Sequence, residues 1–152
     1  IRRHMTRSFT KESIYLREEA VRRKFSVNPE KIAGRRVWIL DDSIVRGITS
    51  RRLTRLLRSQ GASWVGVIVS CPPIIGPCGK GIDFSEEGLI ARKYLSENNK
   101  TDIDEIRKYI EADALFYNTR EDVTEVVREL GGNPDNFCFG CFDNREPIWG
   151  AW

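Results

Sequence analysis

The chain has 152 residues, enough for one domain, and its 40% hydrophobic and 31% charged residues are a globular mixture. A net charge of +3 is milder than the dense basic face that nucleic acid calls for. No apolar run approaches membrane-spanning length and no signal peptide is visible, so neither nucleic acid nor membrane is expected as a partner, and the cytoplasm is the expected location. The chain opens on Ile1 in a basic stretch and reads as a piece of a longer protein.

Residues 1–10 are basic and irregular. Residues 11–19 have the pattern of a helix capped by Thr10, and over 21–27 the alternation of Phe25 and Val27 with Lys24 and Ser26 predicts a strand. Asn28-Pro29 and Gly34 mark a turn. The run Val37-Trp38-Ile39-Leu40 then predicts a buried parallel strand over 36–40, ending in two adjacent carboxylates, Asp41 and Asp42. A helix is predicted over 49–60, with Leu53, Leu56 and Leu57 on one face and Gly61 as its stop. A second apolar strand follows over 64–70, and the crossover between the two is the right length for a βαβ unit with adjacent parallel strands.

Residues 71–83 form a Pro/Gly-rich loop. Thr101 is the predicted N-cap of a helix running to about residue 110, followed by a short strand over 112–117. Thr119 caps a last helix that Gly131-Gly132 ends, before Phe137-Cys138-Phe139-Gly140-Cys141-Phe142 and a Trp-rich tail. There is no internal repeat and no low-complexity tract.

The strand–loop–helix junction at 37–50 carries the chemistry. Acids at the carboxyl end of a strand sit where open α/β sheets bind ligands. N–H groups at the start of the next helix, with the helix dipole, favour an anion. Gly47 allows close backbone approach, and the Thr49 and Ser50 hydroxyls can donate. Arg51, Arg52, Arg55 and Arg58 read as a solvated basic helix face beside that anion site. The four cysteines, Cys71, Cys78, Cys138 and Cys141, are not expected to form disulfides in a cytoplasmic chain; iron–sulfur ligation, zinc and buried free thiols all remain open.

The stretch Asp41-Asp42-Ser43-Ile44-Val45-Arg46-Gly47-Ile48-Thr49-Ser50-Arg51-Arg52 resembles the phosphoribosyl pyrophosphate (PRPP) signature of type I phosphoribosyltransferases, in the form found in amidophosphoribosyltransferases. Supporting segments are Pro72-Pro73-Ile74, Pro77-Cys78, Gly81-Ile82-Asp83 and the Glu86–Ala91 run, which resembles a helix of the family with Gly88 as a small insertion or shift; Cys71 stands where the family has Ser, and Gly79-Lys80 replaces a bulkier pair. Residues 1–9 overlay the family's catalytic loop at Arg3, Arg7 and Phe9, with Ile1 where a Lys is expected and His4 where a Tyr is expected.

The resemblance implies an α/β fold: the parallel sheet of a type I phosphoribosyltransferase with helices on both faces and its N-terminal part missing. Residues 1–34 would be the lid and lead-in, 35–119 the βαβ core, and 120–152 the C-terminal helix and cysteine pair. Asp41 and Asp42 would take the ribose hydroxyls and Mg²⁺, Ser43 to Ser50 would cradle the 5′-phosphate, and Arg3 and His4 would be catalytic lid residues. One branch of the family implies a [4Fe–4S] cluster on Cys78, Cys138, Cys141 and a fourth, upstream cysteine. The implied activity is synthesis of 5-phosphoribosylamine from PRPP, glutamine and water, with ammonia from an upstream glutaminase domain, in a homo-oligomer; by itself this stretch should be inactive. The alternatives are another type I phosphoribosyltransferase acting on a nucleobase, and a non-catalytic PRPP-sensing regulator.

Overall fold

A computed structural model of the chain describes residues 2–3, 25–79, 84–98 and 100–145. His4, the helix expected over 11–19, residues 21–24 of the expected early strand, Lys80 to Asp83 and the Trp-rich tail lie outside the described residues.

Two short strands, β1 (Arg2–Arg3) and β2 (Phe25–Ser26), pair antiparallel, so Arg3 lies opposite Phe25. Asn28 caps a 3-10 turn at Pro29–Lys31, its side chain accepting from the Glu30 N–H. The main sheet then begins with β3 (Arg36–Asp41), followed by helix α1 (Ile48–Ser59) and strand β4 (Trp64–Val69). A four-residue helix α2 (Ile90–Lys93), helix α3 (Ile103–Tyr109), strand β5 (Ala114–Tyr117), helix α4 (Arg120–Glu129) and a last turn α5 (Gly140–Asp143) complete the order. The three long strands are parallel in the order β3-β4-β5, and the rung Asp41–Val69–Tyr117 runs straight across their carboxyl ends.

One apolar interior forms between this sheet and the crossover helices. Ile39, Val65, Val67, Val69 and Leu115 from the strands meet Leu53 and Leu57 of α1 and Ile106 and Ile110 at α3. Burying each Leu or Ile side chain contributes about 1.5–3 kcal/mol. Both crossover helices lie on the same face, as two successive right-handed crossovers in one direction require. Their contact is ionic: Glu111, just past α3, pairs with Arg51 at 2.7 Å and Arg55 at 2.5 Å, while Asp113 pairs with Arg58 at 2.9 Å. The arginine row is therefore an inter-helix seam and not a merely solvated face. Glu111 holds it from a left-handed backbone, φ 59°.

The parallel sheet with flanking helices agrees with the sequence expectation, whereas the expected burial of β3 does not hold. Among the described residues β3 is an edge strand, with Leu40 78% and Trp38 45% exposed, and Phe116 on β5 is 57% exposed. Strand β4 is the buried one. Alternation explains the pattern: Val37 and Ile39 point to the helices, Trp38 and Leu40 away. Gly66 lies beneath Trp38 and Trp64, whose rings meet edge-to-face at 4.7 Å; a Cβ there would come within 2.4 Å of Trp38.

Two smaller expectations shift and a third holds. Helix α3 is capped by Asp102, whose carboxylate accepts from Asp104 and Glu105, because Thr101 is engaged in a bridge with Leu95. The helix expected from Glu86 begins only at Ile90, since Gly88 turns the chain at φ 76°. Thr119 caps α4 as expected, in a reciprocal box with Asp122. No helix among the described residues is long and apolar enough to cross a membrane.

Candidate anion and sugar site at the strand ends

The carboxyl ends of the three strands are laced together by hydrogen bonds. The Ser70 N–H donates to the Asp41 carbonyl at 3.0 Å and the Ser70 hydroxyl to the Asp42 carbonyl at 3.3 Å. The Asn118 amide donates to the Ser70 carbonyl at 3.0 Å. Ser70 and Asn118 are polar ties that no sequence period marks, because their partners arrive from other strands. On this frame stand the acids. The Asp42 N–H donates to Asp41 Oδ1 at 3.1 Å, and the Ser43 hydroxyl donates to Asp42 Oδ1 at 3.4 Å. Asp41 is half-buried and Asp42 exposed.

The loop from Ser43 to Gly47 is pinned from below. Ile44 is buried, 2% exposed, in the core. The Val45 carbonyl accepts from the Ile90 N–H at 2.9 Å, which ties the loop to α2. Gly47 has φ 71°, and a Cβ there would sit 2.8 Å from Ile90 Cδ1 and 3.0 Å from the Tyr109 ring. The structure thus gives Gly47 a packing reason that the sequence does not carry. Helix α1 starts directly after it with no side-chain cap, so its first-turn N–H groups remain available to an anion. Of the hydroxyls there, Thr49 is exposed while Ser50 is buried, its carbonyl accepting from Thr54 Oγ1 at 2.9 Å.

The cysteines converge on the same end of the sheet. No disulfide joins them. The N–H groups of Ile75 and Gly76 donate to the Cys141 carbonyl at 2.9 and 2.8 Å, so the Pro/Gly loop is docked on α5. Burial pushes the Cys141 thiol up to about 11, with further upward pushes from Cys78 and Cys138. Burial likewise pushes Cys71 up to about 12, with contributions from Cys141, Asp42 and Asp41. Cysteine corner and acid corner are therefore neighbours, with Cys71 between them. Among the described residues, no group of three or more His, Cys, Asp or Glu side chains could hold a metal ion. Arg3 sits on β1, apart in sequence from this corner, and His4 lies outside the described residues.

Two solved structures resemble the chain closely. The Bacillus subtilis glutamine PRPP amidotransferase complexed with ADP and GMP matches with a TM-score of 0.70 and 38% identity, over 95% of this chain and 31% of that one. A structure described as the allosteric regulatory enzyme of purine biosynthesis matches with a TM-score of 0.71 and 38% identity, over 95% of this chain and 30% of its own. In its three-stranded parallel sheet and flanking helices the chain matches the type I phosphoribosyltransferase fold of those structures.

No protein-family profile matches the chain. Among curated proteins it is 39% identical to the amidophosphoribosyltransferase of Archaeoglobus fulgidus over 96% of its length, and 40% identical to that of Bacillus subtilis over 95%. By descent the chain is a relative of the C-terminal, phosphoribosyltransferase part of amidophosphoribosyltransferases. It spans about 30% of the length of those relatives.

Proposed function

We propose that the chain is the PRPP-binding part of an amidophosphoribosyltransferase, which makes 5-phosphoribosylamine from PRPP, glutamine and water in the first step of de novo purine synthesis. The observation that carries the reading is the acid pair at the end of β3, one pinned loop away from the uncapped start of α1. That spacing suits a sugar with hydroxyls at one end and a phosphate at the other.

In this reading the loop residues Ser43 to Ser50 cradle the 5′-phosphate. Their backbone N–H groups supply most of the donors, Ser43 and Thr49 add hydroxyls, and Ile44 and the Val45–Ile90 bond hold the loop in shape. Asp41 and Asp42 accept from the ribose hydroxyls. They are also hard oxygen ligands, half-buried and exposed, which fits Mg²⁺ because that ion keeps several waters and needs only one or two carboxylates. When bound, Mg²⁺ neutralises charge on the departing diphosphate. The chain's own contribution is to hold C1 of the ribose in line for attack, which is positioning more than covalent chemistry. Arg3 and His4 would close over the sugar, ammonia would come from a glutaminase domain upstream, and the protein would work as a cytoplasmic homo-oligomer.

For the cysteines we propose a structural [4Fe–4S] cluster on Cys78, Cys138 and Cys141, its fourth ligand supplied from upstream. What supports it is the spacing of the three cysteines and the upward push of Cys78 and Cys138 on the Cys141 thiol. The cluster would brace the Pro/Gly loop against α5 and take no part in the reaction.

The names of the relatives favour the amidotransferase over a nucleobase enzyme. The test is calorimetric titration of the intact protein with Mg²⁺–PRPP. The double variant Asp41→Asn, Asp42→Asn should lose binding while keeping its unfolding midpoint. Undiminished binding would refute the assignment of the acids. Ammonia-dependent release of diphosphate in the wild type separates the enzyme from a PRPP-sensing regulator.

A further inference from the structure

Tyr117 ends β5 on the rung that also carries Asp41 and Val69. Residues on one rung of a parallel sheet point to the same face, so the Tyr117 and Asp41 side chains leave the sheet on the same side. The Tyr117 ring packs against the core, as does Cys71 next to the acids. Its hydroxyl oxygen is sealed from solvent and has no hydrogen-bond partner among the described residues. Leaving a buried hydroxyl unmatched costs about 1–3 kcal/mol. The nearby groups that raise its ionisation, after burial, are Cys71 and Asp41, so the hydroxyl lies within the field of the Asp41 carboxylate. Catalytic hydrogen bonds are often open in the unliganded state and close with the ligand.

We propose that Tyr117 is a positioning residue of the acid corner: when Mg²⁺–PRPP binds, its hydroxyl donates to the Asp41 carboxylate and fixes the direction from which that carboxylate meets the sugar. This rests on the PRPP reading above. It also accounts for the orphan, since the donor is held in reserve for a carboxylate that turns on binding. The bond is absent in the free protein, so the hydroxyl adds no stability to the fold there.

Tyr117→Phe in the intact protein tests it, with Mg²⁺–PRPP as the probe. The expected result is about tenfold weaker binding, the loss of one charge-assisted hydrogen bond, with KM for PRPP raised more than kcat is lowered. The unfolding midpoint should be unchanged or higher, an outcome a merely structural hydroxyl would not give. In the Asp41→Asn background, Tyr117→Phe should add no further loss. If Tyr117→Phe binds like wild type while the Asp41→Asn, Asp42→Asn variant does not, the role of Tyr117 is overturned and the PRPP reading stands. An equal loss from Tyr117→Phe with and without Asp41 also overturns it. If the wild type does not bind Mg²⁺–PRPP, both fall together.

Discussion

Replacing Gly47 by Ala perturbs the hinge between the loop and α1 in two separable ways. The backbone there is left-handed, φ 71°, which costs an L-residue about 1–2 kcal/mol. The new methyl would also stand 2.8 Å from Ile90 Cδ1 and 3.0 Å from Tyr109 Cε1. Overpacking of that kind costs about 1–3 kcal/mol. Ile90 can yield, because Cδ1 is the end of a flexible chain. Tyr109 yields less, since the Arg51 guanidinium stands 5.1 Å and the Lys93 ammonium 5.9 Å from its ring centre. The sum is about 2–5 kcal/mol, or about 4–20 °C in Tm for a chain of this size. Urea unfolding at constant m-value measures it. Ile90→Val removes the clashing carbon and separates the two costs. Alone it should destabilise by about 0.5–1.5 kcal/mol; in the Gly47→Ala background that cost should vanish, leaving the backbone penalty and the Tyr109 contact. Gly47→Ala within about 0.5 kcal/mol of wild type, or an equal effect of Ile90→Val in both backgrounds, would refute the reasoning.

The seam between α1 and α3 should be sensitive to acid. Hydrogen bonds from Arg55 and then Arg51 hold the Glu111 carboxyl at about 2, below its ordinary value of 4.5. A depressed carboxyl contributes stability that is complete above about 4.5 and lost as the pH falls toward 2. Glu111→Gln should flatten the acid limb of the stability curve over that window, with the difference shrinking in high salt; identical acid limbs would count against the seam. Anaerobically purified intact protein should show broad visible absorbance with iron and sulfide, lost in Cys78→Ser, Cys138→Ser or Cys141→Ser and kept in Cys71→Ser. One equivalent of zinc in place of iron would reverse the cluster assignment.

The parts of this fold legible in the sequence are those set by local pattern. The β3–α1–β4 unit follows from apolar runs, one turn glycine and a three-leucine stripe, and the Thr119 cap from its spacing to Asp122. The acid pair is visible because strand, acids and loop are contiguous. Features that depend on the third dimension were hidden. Nothing in the run Val37–Leu40 says that β3 would be an edge with Leu40 in the open. Thr101 and Asp102 are equally good caps until a bridge to Leu95 engages the first. Arg51, Arg55 and Arg58 look solvated until Glu111 and Asp113 arrive from 55 to 60 residues away. The Tyr117 hydroxyl is conspicuous only once its surroundings are known to offer it nothing.

Gly66 has an optical consequence. With no side chain beneath them, the Trp38 and Trp64 indoles close to 4.7 Å on the side of the sheet away from α1, and the Arg36 guanidinium lies 4.4 Å from the centre of the Trp64 ring. Indoles that near share their excitation, and the wetter of the two emits toward the red. Any protein segment laid across Trp38 would expel that water and move the emission to shorter wavelength. The sheet thus carries its own fluorescent gauge of whether its second side has been covered.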